Sequence, residues 1–82
     1  MLKGIIKGNI VSTRKQDSLI GNKFMEVEII ENNEPTGKYI IAIDSVGAGI
    51  GEVVLITTGS SARLALHNQN APTDAVIVGI VD

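Results

Sequence analysis

Eighty-two residues without a cysteine define one small domain that neither disulfides nor thiolate metal sites can brace. Seven Lys and Arg against nine Asp and Glu leave a net charge of -2, which argues against a surface built to neutralise nucleic-acid phosphates. With no signal-type leader and no run of ~20 apolar residues, the expectation is a soluble, cytoplasmic protein.

A domain of this size buries a modest fraction of its surface, so oligomerisation is the remaining source of added stability. Composition agrees, because the hydrophobic 44% contains one Phe and one Tyr and consists mainly of Ile, Val, Leu and Ala. Such residues suit strands and closely packed interfaces.

In the first segment Leu2, Gly4, Ile6, Gly8 and Ile10 share one face of a period-two pattern, opposite Lys3, Lys7 and Asn9 with Ile5 and Val11 among them. This predicts a half-buried strand, and its two glycines suggest a sharply coiled one. Arg14 to Asn22 reads as a loop in which Leu19 and Ile20 tuck onto the domain or a neighbouring subunit. Alternation resumes over residues 23 to 30, with Met25, Val27 and Ile29 inward and Phe24 and Ile30 on the polar face, where Phe24 is either a singly exposed aromatic or in contact with something outside the barrel.

Glu31 to Gly37 carries Asn, Pro and Gly in positions to reverse the chain into a hairpin. Tyr39 to Asp44 is nearly continuous in apolar character, as expected of a strand buried on both faces. A bend follows with Gly at 47, 49 and 51, then a strand over Val53 to Thr58. Ser60 or Ser61 is placed to cap a short helix through Ala62, Leu64, Ala65 and Leu66, ended by Asn68 to Pro72, and residues 75 to 81 form the last strand.

Five short strands and one short helix imply a mainly β domain, a small and mostly antiparallel barrel, although periodicity alone leaves a small sandwich open. No catalytic, metal or cofactor constellation is apparent. His67 is the only histidine and stands in a polar segment, and Ser60 and Ser61 have no base near them in sequence. Gly47-Ala48-Gly49-Ile50-Gly51 lacks the Gly-x-Gly-x-x-Gly spacing and precedes a strand, where a dinucleotide loop would open a helix.

The stretch from Asp44 to Arg63 is the most distinctive in the chain. Its Asp44-x-Val46-Gly47-Ala48-Gly49-x-Gly51-Glu52, followed by Gly59-Ser60-Ser61-Ala62-Arg63, resembles the signature of the bacterial microcompartment vertex family of EutN/CcmL type. Further matches at Gly8, Val11, Thr13-Arg14-Lys15, Leu19-x-Gly21-x-Lys23 and Asp74 to Asp82 extend the resemblance over nearly the whole chain.

The resemblance implies one OB-like barrel spanning residues 1 to 82 and decorated with a short helix. It also implies a non-enzymatic, carboxysome-like shell role, in which homopentamers cap the vertices of a microcompartment in the cytoplasm beside hexameric shell proteins. Gly47, Ala48, Gly49 and Gly51 would then let backbones converge at the five-fold axis or subunit boundary, with Ser60 and Ser61 in the same region. Arg63 is the candidate to pair with Asp44 or Glu52 across that boundary. The alternative is a barrel that binds single-stranded nucleic acid or a small ligand. Against it stand the acidic balance and the presence of only two aromatics, Phe24 and Tyr39.

Overall fold

In a computed structural model of the chain, residues 1–11, 22–65 and 74–82 are described, apart from the side chains of Ser61, Arg63 and Leu64. The expected loop with Leu19 and Ile20, the helix end at 66 to 72 and His67 lie outside these residues.

Five strands, β1 (Leu2–Ile10), β2 (Lys23–Glu31), β3 (Glu34–Asp44), β4 (Val53–Thr58) and β5 (Ala75–Val81), close into a barrel in the order β1-β2-β3-β5-β4. Closure resolves the choice between barrel and sandwich. The helical turn α1 (Ser60–Ala65) lies between β4 and β5. All pairings are antiparallel except that of β3 with β5, which is parallel and confined to Ile43 and Asp44 against Val76 and Ile77. Among the described residues, the edge of β3 from 34 to 42 therefore has no strand partner.

Inward-facing residues fill the barrel, with Ile6, Met25, Val27, Val54, Ile56 and Ile77 at its centre. A second cluster lies outside the wall, where Ala62 of α1 covers Ile43 and Val76 and Phe24 packs alongside. Phe24 is thus half-buried against this chain's own cluster of Ile43, Ala62 and Val76.

Strict alternation fails in β1 and β5, for one reason. The register of β1 against β2 slips between Ile6 and Gly8, so Lys7 is an extra, bulged residue, and beyond it Asn9 faces the same side as Met25. Gly8 and Ile10 thereby leave the face expected for them and stand beside Glu26 and Phe24. In β5 the slip falls between the partners of Leu55 and Ile56, and Val78 is the extra residue. Bulges of this kind bend a strand and let a sheet of few strands close.

Gly4 permits another tight passage. A β-carbon built on it would collide with a methyl of Val27 and come within 2.9 Å of the Glu28 carbonyl oxygen. This glycine keeps β1 and β2 in close contact, whereas a β-carbon at Gly8 would meet open space.

The hairpin between β2 and β3 turns on two residues, Asn32 and Asn33, whose φ angles of 52° and 63° make the tight turn that matches strand twist. Pro35 and Gly37 belong to β3, in a wide bulge opposite Glu28 to Ile30. Two side chains stitch that bulge. The Thr36 hydroxyl donates to the Ile29 carbonyl at 2.7 Å, and the Gly37 N–H donates to the buried Glu28 carboxylate at 3.0 Å, with Lys7 Nζ 3.5 Å from its other oxygen.

One expectation is overturned. Tyr39 and Ile41 are 52% and 57% exposed, so β3 is not buried on both faces. Its inward residue Ala42 is fully buried, while the outer side of its middle is covered by none of the described elements.

Candidate functional site

The bend from Asp44 to Glu52 begins where β3 leaves the barrel and ends where β4 enters it. Asp44 closes its first half, accepting hydrogen bonds from three successive N–H groups: Val46 and Gly47 on Oδ1 at 2.9 and 3.1 Å, and Ala48 on Oδ2 at 2.9 Å. Gly47 has φ +81°, a conformation that side chains oppose and glycine takes freely. Next to Asp44, Ser45 ties the bend to β5, its hydroxyl donating to the Ile77 carbonyl at 2.6 Å.

Glu52 closes the second half. Its Oε1 accepts from the Gly49 N–H at 2.6 Å, and its own N–H donates to the Gly49 carbonyl at 3.1 Å. Gly51, at φ +89°, donates to the Ile6 carbonyl at 2.8 Å, and Ile6 donates back to the Glu52 carbonyl at 3.0 Å. The β1–β4 ladder is thereby extended into the bend.

Ala48, only 3% exposed, inserts its methyl into the barrel core between the two halves. A buried methyl stabilises by roughly 0.8 kcal/mol, against about 1.5–3 kcal/mol for a hydrogen bond to a charged acceptor in a protected setting. Three of the four carboxylate bonds are exposed to water and fall toward the lower value, so the shape of the bend rests on the two carboxylates and the Ala48 anchor together. What the bend offers to its surroundings is Val46 and Ile50, 41% and 62% exposed.

These positions bear on the expected site residues. Asp44, Gly47, Ala48, Gly49, Gly51 and Glu52 do lie together, and both carboxylates already accept hydrogen bonds from their own bend. Ser60 stands exposed at the start of α1, whose first turn closes through an Ala62 N–H bond to the Gly59 carbonyl at 3.1 Å. Ser61 and Arg63 belong to α1, and the pairing expected of the Arg63 side chain lies outside what is described.

Ser45 and Ile50 were not singled out from the sequence. The available signal for Ile50 was a large apolar residue isolated between two glycines, in a bend too tight to fold it inward. Among the described residues, no three His, Cys, Asp or Glu side chains come together as metal ligands would, and no helix is long and apolar enough to cross a membrane.

The family model described as "Ethanolamine utilisation protein EutN/carboxysome" matches residues 1–82. The carboxysome shell vertex protein CcmL of Gloeobacter violaceus is 41% identical over 80 residues, covering 96% of this chain and 80% of the relative. Its solved structure superposes with a TM-score of 0.94 over the whole of this chain and 86% of that one. The microcompartment shell vertex protein EutN of Salmonella typhimurium is 42% identical over 83 residues, covering 100% and 84% of the two chains. GrpN of Rhodospirillum rubrum is likewise 42% identical over 83 residues, covering all of this chain and 93% of its own. The GrpN structure, described as a pentameric microcompartment shell protein, gives a TM-score of 0.91 over 100% and 94% of the two chains.

Proposed function

The chain belongs to the EutN/CcmL family, and on that footing we propose that it is a structural shell protein whose cyclic pentamers cap the vertices of a bacterial microcompartment. The observation that carries this reading is near-complete superposition on a pentameric relative at 41% identity. The mechanism is association: a five-membered ring needs two different patches on each subunit and a rotation that closes. Flat layers of hexameric shell units curve only where five-fold units are inserted, which is the place this protein takes in the cytoplasm.

We read residues 1 to 82 as one vertex domain of OB-like type with a short helix, consistent with the closed five-stranded order. Its role is structural, not enzymatic. The bend at Gly47, Ala48, Gly49 and Gly51, with Asp44, Glu52, Ser60, Ser61 and Arg63, forms part of the subunit boundary or the axial opening. The single-stranded nucleic-acid alternative finds no support among the relatives. Phe24, one of two aromatics available for stacking on bases, packs against the cluster of Ile43, Ala62 and Val76.

Native mass measurement at micromolar concentration tests the reading. The expected species has five times the mass of one chain, and a stable monomer overturns it. For the bend, Gly49→Val is expected to abolish the ring while far-UV circular dichroism still reports a folded barrel; an intact ring would remove Gly49 from the boundary.

A further inference from the structure

Beyond Ile6, strand β1 has two registers open to it against β2, and the structure adopts the less regular one. Ile6 itself is pinned on both sides: it stands opposite Val27, donates to the Glu52 carbonyl at 3.0 Å and accepts from the Gly51 N–H at 2.8 Å. From residue 7 to 10, β2 is the one strand partner among the described residues. An uninterrupted register would set Lys7 opposite Glu26, Gly8 opposite Met25, Asn9 opposite Phe24 and Ile10 opposite Lys23. That arrangement leaves no residue unpaired, aligns a cross-strand Lys–Glu pair and keeps Ile6, Gly8 and Ile10 on one face. The observed strand instead skips Lys7 and sets Gly8 opposite Glu26, Asn9 opposite Met25 and Ile10 opposite Phe24.

A bulge disrupts the ladder locally, so an interaction made only in the bulged form must offset it. Glu28 supplies that interaction. Among the described residues it is the one buried charged side chain, 7% exposed. A carboxylate withdrawn from water is costly unless a cation and hydrogen-bond donors meet it. Here Oε2 accepts from the Gly37 N–H at 3.0 Å, in the irregular part of β3 where Gly37 has φ +76°, and Oε1 lies 3.5 Å from Lys7 Nζ. One carboxylate thus reaches across β2 in both directions, joining the extra residue of β1 to the bulge of β3. Glu26, the acid that Lys7 would face in the regular register, is exposed, and water already solvates its charge.

We infer that Glu28 selects the bulged register of β1, by drawing Lys7 toward itself and away from Glu26. Two acids on the same strand compete for one ammonium group. The buried acid wins because it has more to lose by standing unpaired. The choice decides which side chains line the wall: with the bulge Ile10 lies beside Phe24, and without it Asn9 takes that place and Ile10 turns to the opposite face. Because Ile6 is held by both β2 and the bend, a change of register is confined to residues 7 to 10 and leaves the rest of the barrel paired.

Three substitutions test this. Glu28→Gln keeps an acceptor for the Gly37 N–H while offering Lys7 no negative charge, and Lys7→Met removes the ammonium while keeping most of the stem. Glu26→Gln is the control, since the Glu26 carboxylate takes no part in the bulged register. Nuclear magnetic resonance of each isotope-labelled full chain reads the register from backbone Overhauser contacts between β1 and β2, with far-UV circular dichroism as the check on folding. In wild type and Glu26→Gln, the expected contacts join Gly8 to Glu26 and Asn9 to Met25. In Glu28→Gln and Lys7→Met, contacts joining Gly8 to Met25 and Asn9 to Phe24 are expected beside these or in their place. Bulged contacts alone in either folded variant, or slipped contacts in Glu26→Gln, overturn this role for Glu28. The Lys7 side chain is 43% exposed, so Lys7→Met keeps the test decisive should Glu28→Gln fail to fold.

Discussion

Glu52 and Gly49 hold each other twice: the Gly49 N–H donates to the Glu52 carboxylate at 2.6 Å, and the Glu52 N–H donates to the Gly49 carbonyl at 3.1 Å. The carboxylate thus seals a turn that its own backbone begins. Because Glu52 is exposed, water competes for the bond, and Glu52→Ala is expected to cost about 1 kcal/mol, below the usual range for charged acceptors. Glu52→Gln keeps an acceptor oxygen and should lose less. Urea denaturation of the three proteins under one buffer condition gives the ordering.

Asp44 carries more of the bend, since one carboxylate serves three N–H groups. Removing it with Asp44→Ala leaves all three to water or to nothing, at an expected cost of about 2 kcal/mol. For a domain of this size that lowers Tm by roughly 8 to 16 °C. Asp44→Asn, which retains one acceptor oxygen, should fall between wild type and Asp44→Ala in a thermal melt followed by circular dichroism.

Gly4 and Gly8 lie in the same strand and should respond oppositely to one added methyl. Gly4→Ala forces the new carbon against Val27 and the Glu28 carbonyl, and overpacking of this kind costs about 1–3 kcal/mol. At Gly8 the same change meets open space at an ordinary φ, and the stiffer unfolded chain should make it neutral or stabilising by up to about 1 kcal/mol. Denaturant midpoints compared at equal slope separate the two.

Gly51 and Gly47 have room for a β-carbon but the wrong backbone for one, with φ near +89° and +81°. Each Ala substitution is expected to destabilise by about 1–2 kcal/mol through conformational strain. Gly51→Asn should recover part of the loss, because Asn tolerates positive φ better than Ala does. Equal stability of the Asn and Ala variants would show that strain is not the cause.

The sequence made the strands legible wherever apolar residues alternated without interruption, as in Met25, Val27 and Ile29 of β2. It did not reveal the extra residues Lys7 and Val78, because a bulge changes pairing rather than composition and each neighbouring half-strand still alternates by itself. The apolar run Tyr39 to Asp44 read as doubly buried, yet Ile41 faces out. Hydropathy cannot distinguish a residue that packs inside its own chain from one that awaits another surface. In the bend, the three glycines indicated tight backbone geometry. The reach of Asp44 and Glu52 back to their own amides became evident only with coordinates, since those carboxylates were equally suited to pairing with Arg63.

The doubly clasped bend has a consequence for how a partner would meet it. A loop that must be ordered on contact forfeits part of the contact's free energy, roughly 0.5–1.5 kcal/mol for each immobilised side chain. Here the backbone from Val46 to Glu52 is already hydrogen-bonded within one molecule, by Asp44 from one side and Glu52 from the other. On the boundary proposed for this corner, association would be that of a cast part meeting its seat: it would lose little to entropy and would punish any copy whose corner has been reshaped.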